Sequence, residues 1–356
     1  MRILILLILI LPAQVVAFQI ERIKDSLVLK SEKCSEVEKV LLALNDWNAN
    51  LKNNKHCQIN SQNKIQRFEE GFGEDRKPQC KIDVTNCVPD HLVKYHGVNP
   101  NEKTGPNCWN LALVMKGILP ALRFSSNEEM AFYMQPPLCR NLKNGEKRQA
   151  GDIGAIRTIN GHEVGEFHGF IYLSDDVAYS KNGSEEDSWP YLLQSLPEML
   201  SIYEVPNSKK CRSNEVDKTC DLSASYFRCI SFEDYLKQHK NIPDELLKYL
   251  STYSNYEQCL ERELFNSSNN SNIGNLIFDT TKALTKYLSD ERRQEENFFS
   301  NPEAVFVIGA LQMRITSLVE QLQTLPEDSS SIELEDERLK LQKIIQHNVD
   351  LLKGSY

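Results

Sequence analysis

Apolar positions along the chain change rhythm several times, and each change predicts a different kind of element. Between Cys34 and Cys57, residues Val37, Val40, Leu41, Leu44 and Leu51 recur at helical spacing, and Ser35 with Glu38 has the spacing of a capping box. A helix is predicted there. From Cys57 to Cys87 the chain is polar, with Phe72 between two glycines and a Lys77-Pro78 step, and it reads as loops fastened by cystines. Leu111 to Leu119 is an apolar run of helix formers, whereas residues 152–157, 167–173 and 177–180 read as strands with a tight turn at Ser174-Asp-Asp176. Residues 188–193 read as the start of a connecting helix, 199–205 as a closing strand, and 232–239 as a helix. In the last third, Asn301-Pro302 starts a helix whose Ile308, Leu311, Ile315, Leu318, Leu322 and Leu325 form a heptad seam. Ser330-Ser-Ile-Glu333 caps another, with Leu341, Ile344, Ile345, Leu351 and Leu352 free to pack back on the first. The expectation is an antiparallel helical hairpin that completes a bundle with residues 275–289; an oligomerising coiled coil is the alternative.

A helix followed by strands joined by short turns predicts an α+β fold with an antiparallel sheet. The organisation expected is a signal peptide at 1–17, an amino-terminal helical, cystine-containing module at 18–90, a central domain at 91–206, a cystine-rich segment at 207–265 and a carboxy-terminal helical region at 273–356. Asn266 to Asn272 is the linker before the last of these.

Residues 1–17 carry Arg2, an apolar run from Ile3 to Leu11 and a small-residue ending at Ala17, the pattern of a secretory signal, with an uncleaved anchor as the alternative. No later stretch reads as long and apolar enough to span a membrane. The chain is therefore expected to be exported, to a periplasm or beyond the cell, where disulfides form. Ten cysteines fall into neighbouring pairs, Cys34 with Cys57, Cys80 with Cys87, Cys211 with Cys220 and Cys229 with Cys259, which leaves Cys108 and Cys139. Those two either stay reduced or form a fifth bridge. A net charge of −9 over 356 residues, without a dense Lys/Arg cluster, argues against nucleic acid as a partner.

The chemistry centres on Gly105-Pro-Asn-Cys108-Trp-Asn110 and Glu166-Phe-His168-Gly-Phe-Ile-Tyr-Leu173. Cys108 at a helix start gains from the helix dipole, which favours a thiolate, and His168 on a strand supplies an imidazole for the proton. The amide of Cys108 is placed to donate to an oxyanion. Ser180 shares the parity of His168 across the predicted hairpin, and Asn182 is the better acceptor for an imidazole N–H, so either can orient the ring. His162-Glu-Val-Gly-Glu-Phe-His168 does not meet the H-E-x-x-H zinc pattern, and neither metal nor cofactor is expected.

Asn107-Cys108-Trp109 at a helix start, Gly151-Asp152-Ile153 entering a strand and His168-Gly-Phe-Ile-Tyr-Leu173 together resemble the NlpC-type branch of papain-like cysteine peptidases, over about residues 91–206. Asn107 replaces the family's common Asp, and Ser180 with Asn182 stands where that family has a third polar residue, usually histidine. The resemblance implies a papain-like core and an exported thiol hydrolase cleaving amide bonds in peptidoglycan stem peptides. Cys108 would be its nucleophile and His168 its base, with Asn107 and Trp109 near the substrate or oxyanion. The alternatives are a catalytically inactive relative that binds other proteins through its carboxy-terminal helices, and a hydrolase of other protein substrates.

Overall fold

A computed structural model describes residues 18–51, 57, 64–70, 77–98, 106–143, 145–160, 163–181, 190–203, 205, 222–266, 273–290, 298–324 and 330–354. The expected signal peptide, Cys211, Cys220, Asn182, His162 and the linker after Asn266 lie outside them.

The amino-terminal module is a four-stranded antiparallel sheet under one helix. Strands β1 (Phe18–Ile23) and β2 (Ser26–Ser31) form a hairpin, α1 (Cys34–Asn50) follows, and β3 (Gln66–Glu70) and β4 (Lys77–Asp83) complete the order β1-β2-β4-β3. In β2 the alternation buries Leu27, Leu29 and Ser31, and α1 lays Val37, Val40, Leu41, Leu44 and Trp47 into the same core. The module expected to be helical and otherwise looped is thus half sheet. The capping box is not used either: α1 starts at Cys34 without a side-chain cap, and the Glu36 carboxylate accepts from Ser31 Oγ.

Cystines here join sequence-distant rather than neighbouring cysteines. Cys34 pairs with Cys80, Cys57 with Cys87, and Cys139 with Cys229. A helix lying across a sheet brings its first residue beside a strand far along the chain, so spatial order and not spacing decides the partners. Among the described residues Cys108 and Cys259 are free thiols.

The central sheet has six antiparallel strands in the order β5-β10-β6-β7-β8-β9. They are β5 (Cys139–Asn141), β6 (Asp152–Asn160), β7 (Glu163–Tyr172), β8 (Val177–Lys181), β9 (Tyr191–Ser195) and β10 (Leu222–Cys229). The turn at Ser174 to Val177 forms as expected, with Ser174 and Val177 exchanging backbone hydrogen bonds. Two local expectations invert. Residues 191–195 are a strand, and the next residues form α5 (Leu196–Ile202), capped by Ser195 Oγ accepting from Glu198 N with a proline in the first turn.

Helices α2 (Asp90–Tyr95) and α3 (Cys108–Met115) cover one face of this sheet together with α1, and α5 covers part of the other. The remaining helices are α4 (Asn127–Tyr133), α6 (Phe232–Gln238), α7 (Asp244–Asn266), α8 (Ile273–Leu288), α9 (Pro302–Thr324) and α10 (Ser330–Gly354). α9 and α10 pack on each other and α10 packs on α8, the hairpin and bundle expected from the seam. Mixed α and β structure with two antiparallel sheets is therefore the architecture.

α9 meets the length and composition of a membrane span over Pro302–Gln323, with a mean hydropathy of 1.3, against the expectation that no later stretch would. Two thirds of it is buried inside the protein, however, with Ile308, Leu311, Ile315, Leu318 and Leu322 at no more than 2% exposure.

Candidate functional site

The helix start at Cys108 forms as the sequence predicts. Asn107 is its N-cap, Oδ1 accepting from Asn110 N at 2.9 Å while Nδ2 donates to the Ser125 carbonyl at 2.8 Å. Asn107 is thereby committed to holding the helix. Trp109 packs its ring on β7 at Gly169, where a Cβ would lie 2.6 Å from the indole, so only glycine allows that approach.

That contact fixes which face of β7 looks at α3. Successive strand residues point to opposite faces, so with Gly169 toward α3 the side chain of His168 points away from it. There the His168 ring stacks at 4.9 Å on Tyr203 and at 6.3 Å on Phe170, beside the small apolar cluster of Ile156, Phe170, Tyr172, Ala178, Leu196 and Met199. Ser180 does share the face of His168, but its Oγ accepts from Gln194 Nε2 at 2.5 Å and donates to the Met199 sulfur at 3.6 Å. Both ring nitrogens of His168 are without a hydrogen-bond partner among the described residues.

The electrostatics agree with the geometry. Burial pushes the Cys108 thiol above its ordinary value, outweighing the backbone N–H groups of Gly169 and Trp109 that favour the thiolate. Burial likewise pulls His168 down to about 3, so the ring is neutral and a poor base at neutral pH. Cys108 is 7% exposed and His168 is fully buried. The expected catalytic pair is therefore not formed: Cys108 and His168 are core residues on opposite sides of one strand. Nor do three or more His, Cys, Asp or Glu side chains gather to hold a metal ion among the described residues.

A different surface has the geometry of a binding site. A groove of about 750 Å³ opens between α4, α6, α9 and α10, with Phe132, Tyr235, Phe299 and Phe306 among its walls and Pro136, Pro137 and Pro302 at its edges. Phe132 and Phe306 stack at 5.1 Å and 15°, an approach that Gly309 allows, since a Cβ there would lie 2.8 Å from the Phe132 ring. Tyr235 and His239 stack at 4.2 Å, and His239 Nδ1 donates to the Tyr235 carbonyl at 2.8 Å. Glu303 contributes the groove's carboxylate, and burial together with that charge pushes Tyr235 up to about 12. Sequence reading did not find this site, because its residues come from separate segments. The adjoining Phe132-Tyr133 and Pro136-Pro137 were its visible signals.

Set against known proteins, the chain matches no protein-family model, no curated protein and no solved structure. The NlpC-type resemblance is accordingly withdrawn, and with it the thiol peptidase and peptidoglycan hydrolase reading. Its motifs are present as letters, but the fold turns the two reactive side chains apart and seals both.

Proposed function

We propose that this protein is a non-catalytic binding protein, working outside the cytoplasm, that takes an extended proline-rich segment of a partner into the aromatic groove. The observation that carries the reading is the groove itself: stacked rings flanked by prolines form ridges of the kind on which polyproline helices dock with little loss of entropy. Glu303 suits a basic residue beside such a segment, because among the described residues no cation pairs with its carboxylate, which accepts one hydrogen bond from Asn241 N at 3.2 Å. Cystines at Cys34–Cys80, Cys57–Cys87 and Cys139–Cys229 support the compartment. The part played by α9 and α10 supports a protein partner engaged through the carboxy-terminal helices.

The test is titration of a fluorescent proline-rich peptide with a flanking arginine against the purified protein and against Val305→Lys, which puts a charge on a half-buried groove position. Saturable binding that weakens at least about tenfold in the variant is expected. Absence of binding, or binding indifferent to Val305→Lys, removes the groove from consideration.

A further inference from the structure

A second pocket, separate from the groove, lies between α6 and α7 and has a volume of about 330 Å³. Phe232, Leu236, Leu247 and Leu250 wall it, Ser254 lies on one side, and Arg314 from α9 forms its floor. Arg314 is 3% exposed. Its Nε donates to Tyr133 Oη at 3.3 Å, and Nη1 donates to Ser254 Oγ at 3.1 Å and pairs with Glu257 Oε2 at 3.5 Å. A guanidinium has five N–H groups. The two on Nη2 have no hydrogen-bond partner among the described residues, and the guanidinium lies over the Phe232 ring with Cζ 5.3 Å from its centre, so a donor pair is left for an acceptor in the pocket.

The charge around that floor decides which acceptor. Arg123 and Arg314 are matched by Glu129 and Glu257, so the buried cluster is neutral as it stands. A carboxylate entering the pocket would leave one buried negative charge uncompensated. A neutral carbonyl would satisfy the N–H groups without that cost. Four apolar walls, with Ser251, Ser254 and Arg314 as the polar lining, fit a ligand that is mostly hydrocarbon with one polar group.

We infer that the Arg314 pocket binds a short aliphatic amide, its carbonyl oxygen on Nη2 of Arg314 and its chain between Phe232 and the leucines of α6 and α7. This inference does not rest on the peptide groove. The probe is octanamide, compared with octanoate at neutral pH and followed by thermal unfolding of the full chain. The expected result is a saturable rise in the unfolding midpoint with octanamide, at an apparent affinity at least about tenfold above that for octanoate. Leu247→Trp fills the pocket from its half-buried wall and leaves the Arg314 network in place, so it should abolish the rise, while Val305→Lys in the groove should leave it unchanged. No shift with octanamide, equal or tighter binding of octanoate, a rise surviving in Leu247→Trp, or a rise lost in Val305→Lys each overturns the assignment.

Discussion

Two buried polar regions of this protein are treated in opposite ways. Around Arg123, which is fully buried, the charges are matched: Nη1 and Nη2 donate to the Glu129 carboxylate at 2.7 and 2.6 Å, Nε donates to Glu257 Oε1 at 2.8 Å, Ser317 Oγ donates to Glu129 Oε2 at 2.8 Å, and Glu257 Oε2, without a hydrogen bond, faces Arg314 Nη1 at 3.5 Å. Around β7, β8 and β9, by contrast, His168, Trp47, Tyr179 and Tyr191 bury nitrogen or hydroxyl atoms with no hydrogen-bond partner among the described residues. The first region joins the loop before α4 to α7 and α9, so its pairing fixes the helical bundle onto the central domain. In the second, these atoms are enclosed by packed rings and the strand ladders instead. Polar identity in a core therefore says little about function until the partners are counted.

The contrast can be tested by removing one member at a time. Arg123→Met should have the largest effect, because it leaves Glu129 and Glu257 buried with less compensation; a loss of about 3–5 kcal/mol in denaturant unfolding is expected. A loss below 1 kcal/mol would mean the network is a bystander. Ser317→Ala removes one hydrogen bond to a carboxylate in the same cluster and should cost about 1.5–3 kcal/mol by the same measurement. His168→Leu should change stability at pH 7 by less than about 1 kcal/mol, since no hydrogen bond is lost, whereas a marked loss would show a hidden partner.

Acid sharpens the last of these. His168 and His91 are both drawn by burial from 6.5 to about 3, so between those values the unfolded chain binds protons that the folded chain does not. The stability they leave intact at pH 7 is lost as pH falls below 6.5, at about 1.4 kcal/mol per pH unit for each ring. His168→Leu should flatten that slope by about 1.4 kcal/mol per pH unit, with His91 and His96, which burial also draws down, contributing to what remains. An unchanged slope would mean that His168 is reached by water or a counter-charge when folded.

Legibility followed the physics of each segment. α6 and the α9–α10 hairpin could be read because sustained helical periodicity, or a cap followed by apolar spacing, decides them locally. β3 and β4 could not, since Gln66–Glu70 is an edge strand with only Phe68 less than exposed, and Pro78 suggested a loop. Pro78 is tolerated because it faces only β3, beyond the stretch of β4 that pairs with β2. The cap and proline at Ser195-Leu-Pro-Glu198 were a sufficient signal for α5 that strand-like residues further on obscured. Cys108 and His168 were read as a pair from their order along the chain, although order does not say which side of a strand a residue takes. Gly169 carried that information: the small residue marks the side where a helix comes close, so its neighbour belongs to the other.

β10 sits between β5 and β6, although it follows β6 by the whole stretch from Asn160 to Leu222. During synthesis the β6–β7–β8 meander can form early, yet the outer edge of β6 stays open until Cys229 has emerged to meet β5 and bond to Cys139. A chain cut short before Leu222 would keep the meander and expose that edge, so its fate should be self-association and not a smaller folded domain. The last strand to arrive acts as the lock of the sheet, and the time before it closes is when this protein is most vulnerable to its own neighbours.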